Sequence, residues 1–324
     1  MNRVFKISLI IAASLLALGL IIFVIAMSAL KWDFSKLDTT KYETNEYEMS
    51  EDFNDIIIKT DTADITFLPS ETDKVKVVNF EQEKANHSVT VENGALKIEI
   101  NDTRKWYERF AAFSFKSPKI TVYLPKKAYQ VLDIESDTGD INIPNNFTFK
   151  SIDIVSSTGD ITCSSSASDQ IKITVSTGNI NASNVSSSFI GLTVSTGDIR
   201  LDGARALGEI RIVTSTGDVR VKNATCKEIE IDGSTSNVKL TNVIASKMLD
   251  IDTSTGDITL EECDSGEIYL AASTGNISGT ILSYKVFDAE ASTGSISVPH
   301  SMLDKGKCTI RTSTGDISIS VTSK

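Results

Sequence analysis

Aspartate is the first residue type in this chain whose spacing suggests chemistry. Asp140, Asp160, Asp198, Asp218, Asp257 and Asp316 each follow a glycine, in steps of 19–21 residues or multiples of them. A stacked row of carboxylates is a calcium-binding pattern, because close like charges repel by about 1–3 kcal/mol unless a cation lies between them. Here Asn179, Asn237, Asn276 and Ser295 interrupt the row, leaving no more than two acids in succession. Calcium takes about six to eight oxygens, and the calcium-binding nonapeptide of β-rolls is absent. The column fits turn capping better, since Asx side chains accept hydrogen bonds from nearby amides.

Three other groups of residues invite functional readings. The threonines of the same repeat suggest an ice-binding array, but they adjoin a glycine corner rather than forming a flat Thr-x-Thr face. If the inward parity of Val175 and Val194 continues, Thr177 and Thr196 point into that corner and Ser176 and Ser195 point out. Arg200, Arg220 and Lys239 take the same outward position in three successive repeats, near Arg211, Lys222 and Lys227. They are a candidate stripe for an anionic envelope polymer; pairing with Asp198 and Asp218 is the simpler explanation. The four cysteines (Cys163, Cys226, Cys263, Cys308) form no Cys-x-x-Cys pair and no cluster with His87 or His300, and fit small buried thiols rather than a metal or disulfide site. Neither histidine lies near a Ser or Cys nucleophile in the repeat pattern. No catalytic, cofactor or metal site emerges.

The elements that position these residues are repeats. Ser-Thr-Gly-Asp-Ile or a close variant recurs with its third position at 139, 159, 178, 197, 217, 236, 256, 275, 294 and 315. Alternating stretches flank it, such as Ile171-x-Ile173-x-Val175 before the turn and Ile199-x-Leu201 after it, and period-two alternation of branched residues predicts strands with one buried face. Two short strands cannot bury that face alone; stacking successive copies in parallel at about 4.8 Å does. The expected fold is all-β, a parallel β-solenoid of about ten rungs. Gly139, Gly159, Gly178, Gly197, Gly217, Gly256, Gly275, Gly294 and Gly315 form a turn ladder with positive φ, relaxed where Ala63 and Ser236 replace glycine.

Residues 131–324 carry the repeats, and residues 53–130 read as an irregular β region that caps the first rung, Asp55 to Leu68. Between its strands, Trp106, Tyr107, Phe110, Phe113 and Phe115 lie among basic residues. This stretch is expected to cover the core, with contact to a partner or the membrane as the alternative. Lys324 follows Ile317 closely, so the C-terminal rung is expected to expose an unpaired edge open to self-association. At the other end, residues 1–6 form a short tail and 7–30 an uncharged run long enough to span a bilayer. Ala26-Met27-Ser28 resembles a weak cleavage site, but the run exceeds the usual apolar stretch of a signal peptide. A retained signal-anchor is expected, N-terminus inside, with residues 31–52 as a polar tether.

The net charge of −11 disfavours nucleic acid and broad adsorption to anionic lipid. The anchor, the irregular β region and the Ser-Thr-Gly-Asp-Ile repeats together resemble the bacterial putative-adhesin family of β-solenoid proteins, a domain of unknown function, over about residues 45–324. That family includes LiaG-like membrane-anchored proteins associated with envelope-stress operons. The resemblance implies no catalytic motif. The expected role is a non-enzymatic adhesion or scaffold module at the cell membrane, facing outward, with an envelope polymer or protein as partner. The alternative is an accessory in envelope-stress sensing or signalling. A polysaccharide-active β-helix enzyme fits less well, since no long insertion walls a cleft between residues 137 and 317.

Overall fold

The structure, a computed structural model, describes residues 3–33, 40–111, 116–302 and 305–322. An apolar helix, α1 (Arg3–Ala29), is long and apolar enough to cross a membrane. Beyond it lie β1 (Tyr42–Met49), β2 (Asp55–Thr62), β3 (Asp64–Pro69), β4 (Val75–Gln82), β5 (Ala85–Glu92) and β6 (Ala95–Asp102). A short helix, α2 (Trp106–Ala111), precedes β7 (Lys119–Leu124), β8 (Ala128–Thr138) and β9 (Ile141–Ile143). From β8 onward the chain winds as a parallel β-solenoid, and β2–β3 stacks as a further rung on β8–β9.

The alternating residues stack as expected. Leu132, Ile152, Ile171, Ile190 and Ile210 are in register in adjacent rungs, as are Ile141, Ile161, Ile180 and Ile199, and all are buried. Each such side chain contributes roughly 1.5–3 kcal/mol by leaving water. All four cysteines are buried free thiols that fill places in this core.

The corner between the two strands of a rung is the tightest part of the fold. All nine repeat glycines have φ between 134° and 153°, which side chains rarely adopt. A Cβ on Gly197 would lie 2.0 Å from the carbonyl oxygen of Gly178 one rung below, and one on Gly217 would lie 2.1 Å from that of Gly197. Ser236 escapes the rule because its φ is not positive and its side chain turns inward, where it is buried. The space comes from Gly233, three residues earlier in the strand that leads into the corner, where a Cβ would meet the Ser236 Cβ at 2.9 Å. The relaxed corner read from the sequence is therefore a compensated pair.

Both ends depart from sequence order. At the N-terminal end β2 and β3 pair in parallel with β8 and β9 on one side and with β6 and β7 on the other, so the first rung is wedged between two later ones. β4 and β5 then pair antiparallel with β7 and β6. The polar stretch expected to be a tether up to residue 52 is instead folded from Tyr42 to Met49, where β1 pairs antiparallel along all of β4. Tyr47 and Met49 pack against the core, and the strand covers the edge that β4 would otherwise leave open.

The C-terminal end mirrors this. The strand Lys307–Thr314 pairs with Ile268–Thr274 on one side and Val286–Thr293 on the other. The last rung in sequence is therefore buried between its two predecessors, contrary to the expectation that it forms the open edge. The outermost rung is 286–297, whose core-facing Phe287, Ala289 and Ala291 are only partly buried.

Replacing Gly197 with alanine should cost about 3 kcal/mol or more, because strain and a backbone clash add. Replacing Gly94, which has φ +77° and open space around it, should cost only about 1–2 kcal/mol. Urea melts followed by far-UV circular dichroism check this; similar midpoints for the two variants would contradict the close-packed corner.

Candidate interaction surfaces

The Asp column is a hydrogen-bonded ladder. The Asp160 N–H donates to Asp140 Oδ1 at 2.8 Å, that of Asn179 to Asp160 Oδ1 at 2.8 Å, and that of Asp198 to Asn179 Oδ1 at 2.9 Å. Asn179 and Asn237 also donate side-chain N–H bonds of 3.0 Å to Asp160 and Asp218. The asparagines thus relieve the repulsion that an all-Asp column would build up. At the C-terminal end the ladder follows the wedged order: Asp316 donates to Asn276 Oδ1 at 2.9 Å and Ser295 to Asp316 Oδ1 at 2.7 Å. Bonds from the Ser295 N–H and hydroxyl hold the Asp316 carboxyl below the usual carboxylate range.

The inward parity expected for the threonines fails. Val175 and Val194 are buried, but Ser176, Thr177, Ser195 and Thr196 are all exposed. The chain swings outward between the last core residue and the glycine, so alternation breaks and both hydroxyl columns face solvent on the corner.

Arg200, Arg220 and Lys239 do form one column, in register across three rungs. Arg200 bonds Asp198 at 2.7 Å, Arg220 bonds Asp218 at 2.7 Å and approaches Asp198 at 3.6 Å, and Lys239 reaches Glu261 at 2.6 Å. A shallow depression of about 270 Å³ beside them is lined by Arg220, Lys239, Asp218 and Asp257. Arg211 lies on the other strand of its rung and pairs with Glu230 and Asp232. Every cation of the stripe already has a carboxylate, and exposed pairs of this kind add little stability.

The aromatic insertion does not cover the core where it is described. Trp106 and Tyr107, on α2, are 74% and 50% exposed. Lys84 holds Glu108 at 2.5 Å, and Glu108 accepts the Lys105 N–H at 2.9 Å, which fixes the start of the helix. The side chain of Phe110, with Phe113 and Phe115, lies outside the described residues. Capping falls to β1, β4 and β5, where Tyr42 stacks on Phe80 with ring centres 4.9 Å apart.

The cap also holds a polar chain that the repeat pattern did not reveal. His87 Nδ1 lies 2.7 Å from Glu81 Oε2, and its Nε2 lies 2.8 Å from Thr60 Oγ1. Glu81 also accepts the His87 backbone N–H at 2.7 Å and the Asn45 amide at 2.8 Å. Burial alone would raise the Glu81 pKa, but these bonds outweigh it and hold the carboxyl below its ordinary value. The order resembles that of a nucleophile, base and acid. However, Thr60 shares the core-facing parity of Ile56 and Ile58, and all three groups are buried. The chain joins β1, β2, β4 and β5. Its sequence signal is the inward parity of Val75, Val77, Asn79 and Glu81, an alternation that turns polar halfway.

Burial pushes the Cys163 thiol up to about 11 and those of Cys226 and Cys308 to about 12, so they stay protonated at neutral pH. Among the described residues no group of three or more His, Cys, Asp or Glu is arranged to hold a metal ion.

A family model described as Toastrack DUF4097 matches residues 53–213 and 204–324. No curated protein matches the chain. Among solved structures, a putative adhesin from Parabacteroides distasonis is 14% identical, covering 87% of this chain and 98% of its own, with a TM-score of 0.48. A putative adhesin from Bacteroides fragilis is 17% identical, covering 87% and 99%, with a TM-score of 0.41. A protein from P. distasonis described as a putative lipid binding protein is 16% identical, covering 87% and 98%, with a TM-score of 0.44.

Replacing Arg200, Arg220 and Lys239 together with alanine should leave binding to teichoic-acid-like polyanions unchanged at physiological salt. Sedimentation with the purified polymer measures this; a salt-sensitive interaction of the parent that the triple variant loses would make the stripe a binding site.

Proposed function

The chain belongs to the Toastrack DUF4097 family, and we propose that it is a non-enzymatic adhesion or scaffold module of the bacterial cell envelope. In this reading α1 is a retained membrane anchor, and the solenoid stands on the extracytoplasmic side. The observation that carries it is the continuity of the rungs from Gly139 to Gly275, where each corner bonds directly to the next. Such a rod presents regular outer faces along its length. The residues whose spacing suggested chemistry are taken up by the fold: the Asx column caps corners, the basic column pairs with carboxylates, and the thiols are buried.

The test is localisation of the full chain in its own cells. It should sediment with membranes, resist extraction at alkaline pH, and lose the solenoid when protoplasts are treated with protease from outside. Recovery in the soluble fraction, or a solenoid protected until the membrane is broken, would overturn the reading.

A further inference from the structure

We propose that α2 is a second, peripheral membrane contact: Trp106 and Tyr107 insert into the headgroup layer of the bilayer that holds α1. The inference rests on the anchored reading above. Its first support is juxtaposition. The ectodomain begins at Tyr42, and Tyr42 pairs with Gln82, Gln82 with Ala85, and Ala85 with Asp102, so these four residues share one end of the cap. The α2 insertion leaves from that end. Arg104 bonds Gln82 at 2.7 Å, Thr103 bonds the Lys84 carbonyl at 2.9 Å, and the Tyr42 hydroxyl donates to the Lys116 carbonyl at 2.7 Å. Both stems of the insertion are thereby held at the residue where the chain arrives from α1.

Reach is the second support. Residues 30–41 separate α1 from β1, and this length spans at most about 40 Å even when fully extended. Tyr42 and the neighbouring insertion can therefore reach the bilayer surface and cannot move farther from it than that span.

The third support is chemistry. Trp106 and Tyr107 are the one adjoining pair of strongly exposed aromatics among the described ectodomain residues, set edge to face with centres 6.0 Å apart. Trp and Tyr favour the membrane interface, where the ring is half in hydrocarbon and the polar tip meets water. Lys105 and Lys116 flank them, with ammonium groups over the Tyr107 and Tyr42 rings at 5.9 and 5.8 Å. The insertion thus sets two lysines beside its ring pair, while Lys84 and Arg104 pair with Glu108 and Asp102. With two contacts instead of one, the rod would keep a preferred direction from the membrane.

The full chain carrying Trp32→Phe has Trp106 as its only tryptophan. It is reconstituted into vesicles of phosphatidylcholine and phosphatidylglycerol with bromine-labelled acyl chains. Flotation first establishes that the chain is in the bilayer; failure to float counts against the anchor and the docking with it. In floated protein, Trp106 emission should shift to the blue, lose most of its intensity to the bromolipid and resist aqueous iodide. A control with Trp32→Phe, Trp106→Phe and Tyr284→Trp places the probe near the far end of the rod, and it should show the opposite response. Floated chain whose Trp106 is quenched by iodide and not by bromolipid would overturn the proposal. Equal bromolipid quenching at both positions would also overturn it, because the rod would then lie along the bilayer by another face.

Discussion

Everything in this fold depends on how closely one backbone corner can rest on the next. Strands in neighbouring rungs must lie about 4.8 Å apart to share their hydrogen bonds. At the corner that spacing leaves no room for a side chain on the residue that turns. Glycine meets the requirement, and the Asx residue after it uses the same proximity, reaching the N–H of the adjacent rung. The apolar ladders supply the larger share of the stability, but they can form only where the corners stack.

A stack built this way has two ends, and each end rung has a strand edge without a neighbour. The chain answers both with one device: at each end the terminal rung in sequence lies between the outermost rung and the rest of the stack. The first rung lies between β6–β7 and β8–β9, and the last lies between the rungs turning at Gly275 and Gly294. A rung held on both faces cannot fray without moving its neighbours. The N-terminal end carries more, since β1, β4 and β5 close it with antiparallel pairs and the buried His87–Glu81 bond.

Much of this was legible in the sequence, and the failures have physical causes. Spacing and period-two alternation identified the strands, the glycine corners and the capping role of the Asx column. The parity of Thr177 and Thr196 was misread because alternation holds only while a strand stays extended, and the corner breaks it. The strand within the supposed tether was missed because Tyr42–Met49 alternates polar with polar and carries only Tyr47 and Met49 toward the core. The wedged C-terminal order left no trace in the spacing, since 275, 294 and 315 look like one more regular run. A fainter signal was present in composition: the outer rung has Ala289 where the two rungs inside it have Ile310 and Leu270, as suits a rung packed on one face only. The stripe and the aromatic insertion were found as residues, but whether their charges were paired and which way their rings faced required coordinates.

The central claim is that stacked corners hold the rungs in place, and that the last rung in sequence is held by a corner on either side of it. Disulfide trapping at the exposed threonine column tests it most directly. Thr274 pairs with Thr314, and Thr314 with Thr293, which puts Thr274 and Thr293 two strand spacings apart, about 9.6 Å. A disulfide needs Cα atoms within about 7 Å. The account predicts rapid oxidation of the Thr274→Cys, Thr314→Cys pair and none within the molecule for the Thr274→Cys, Thr293→Cys pair. The reverse result would mean that the rungs stack in sequence order and that the wedge does not exist.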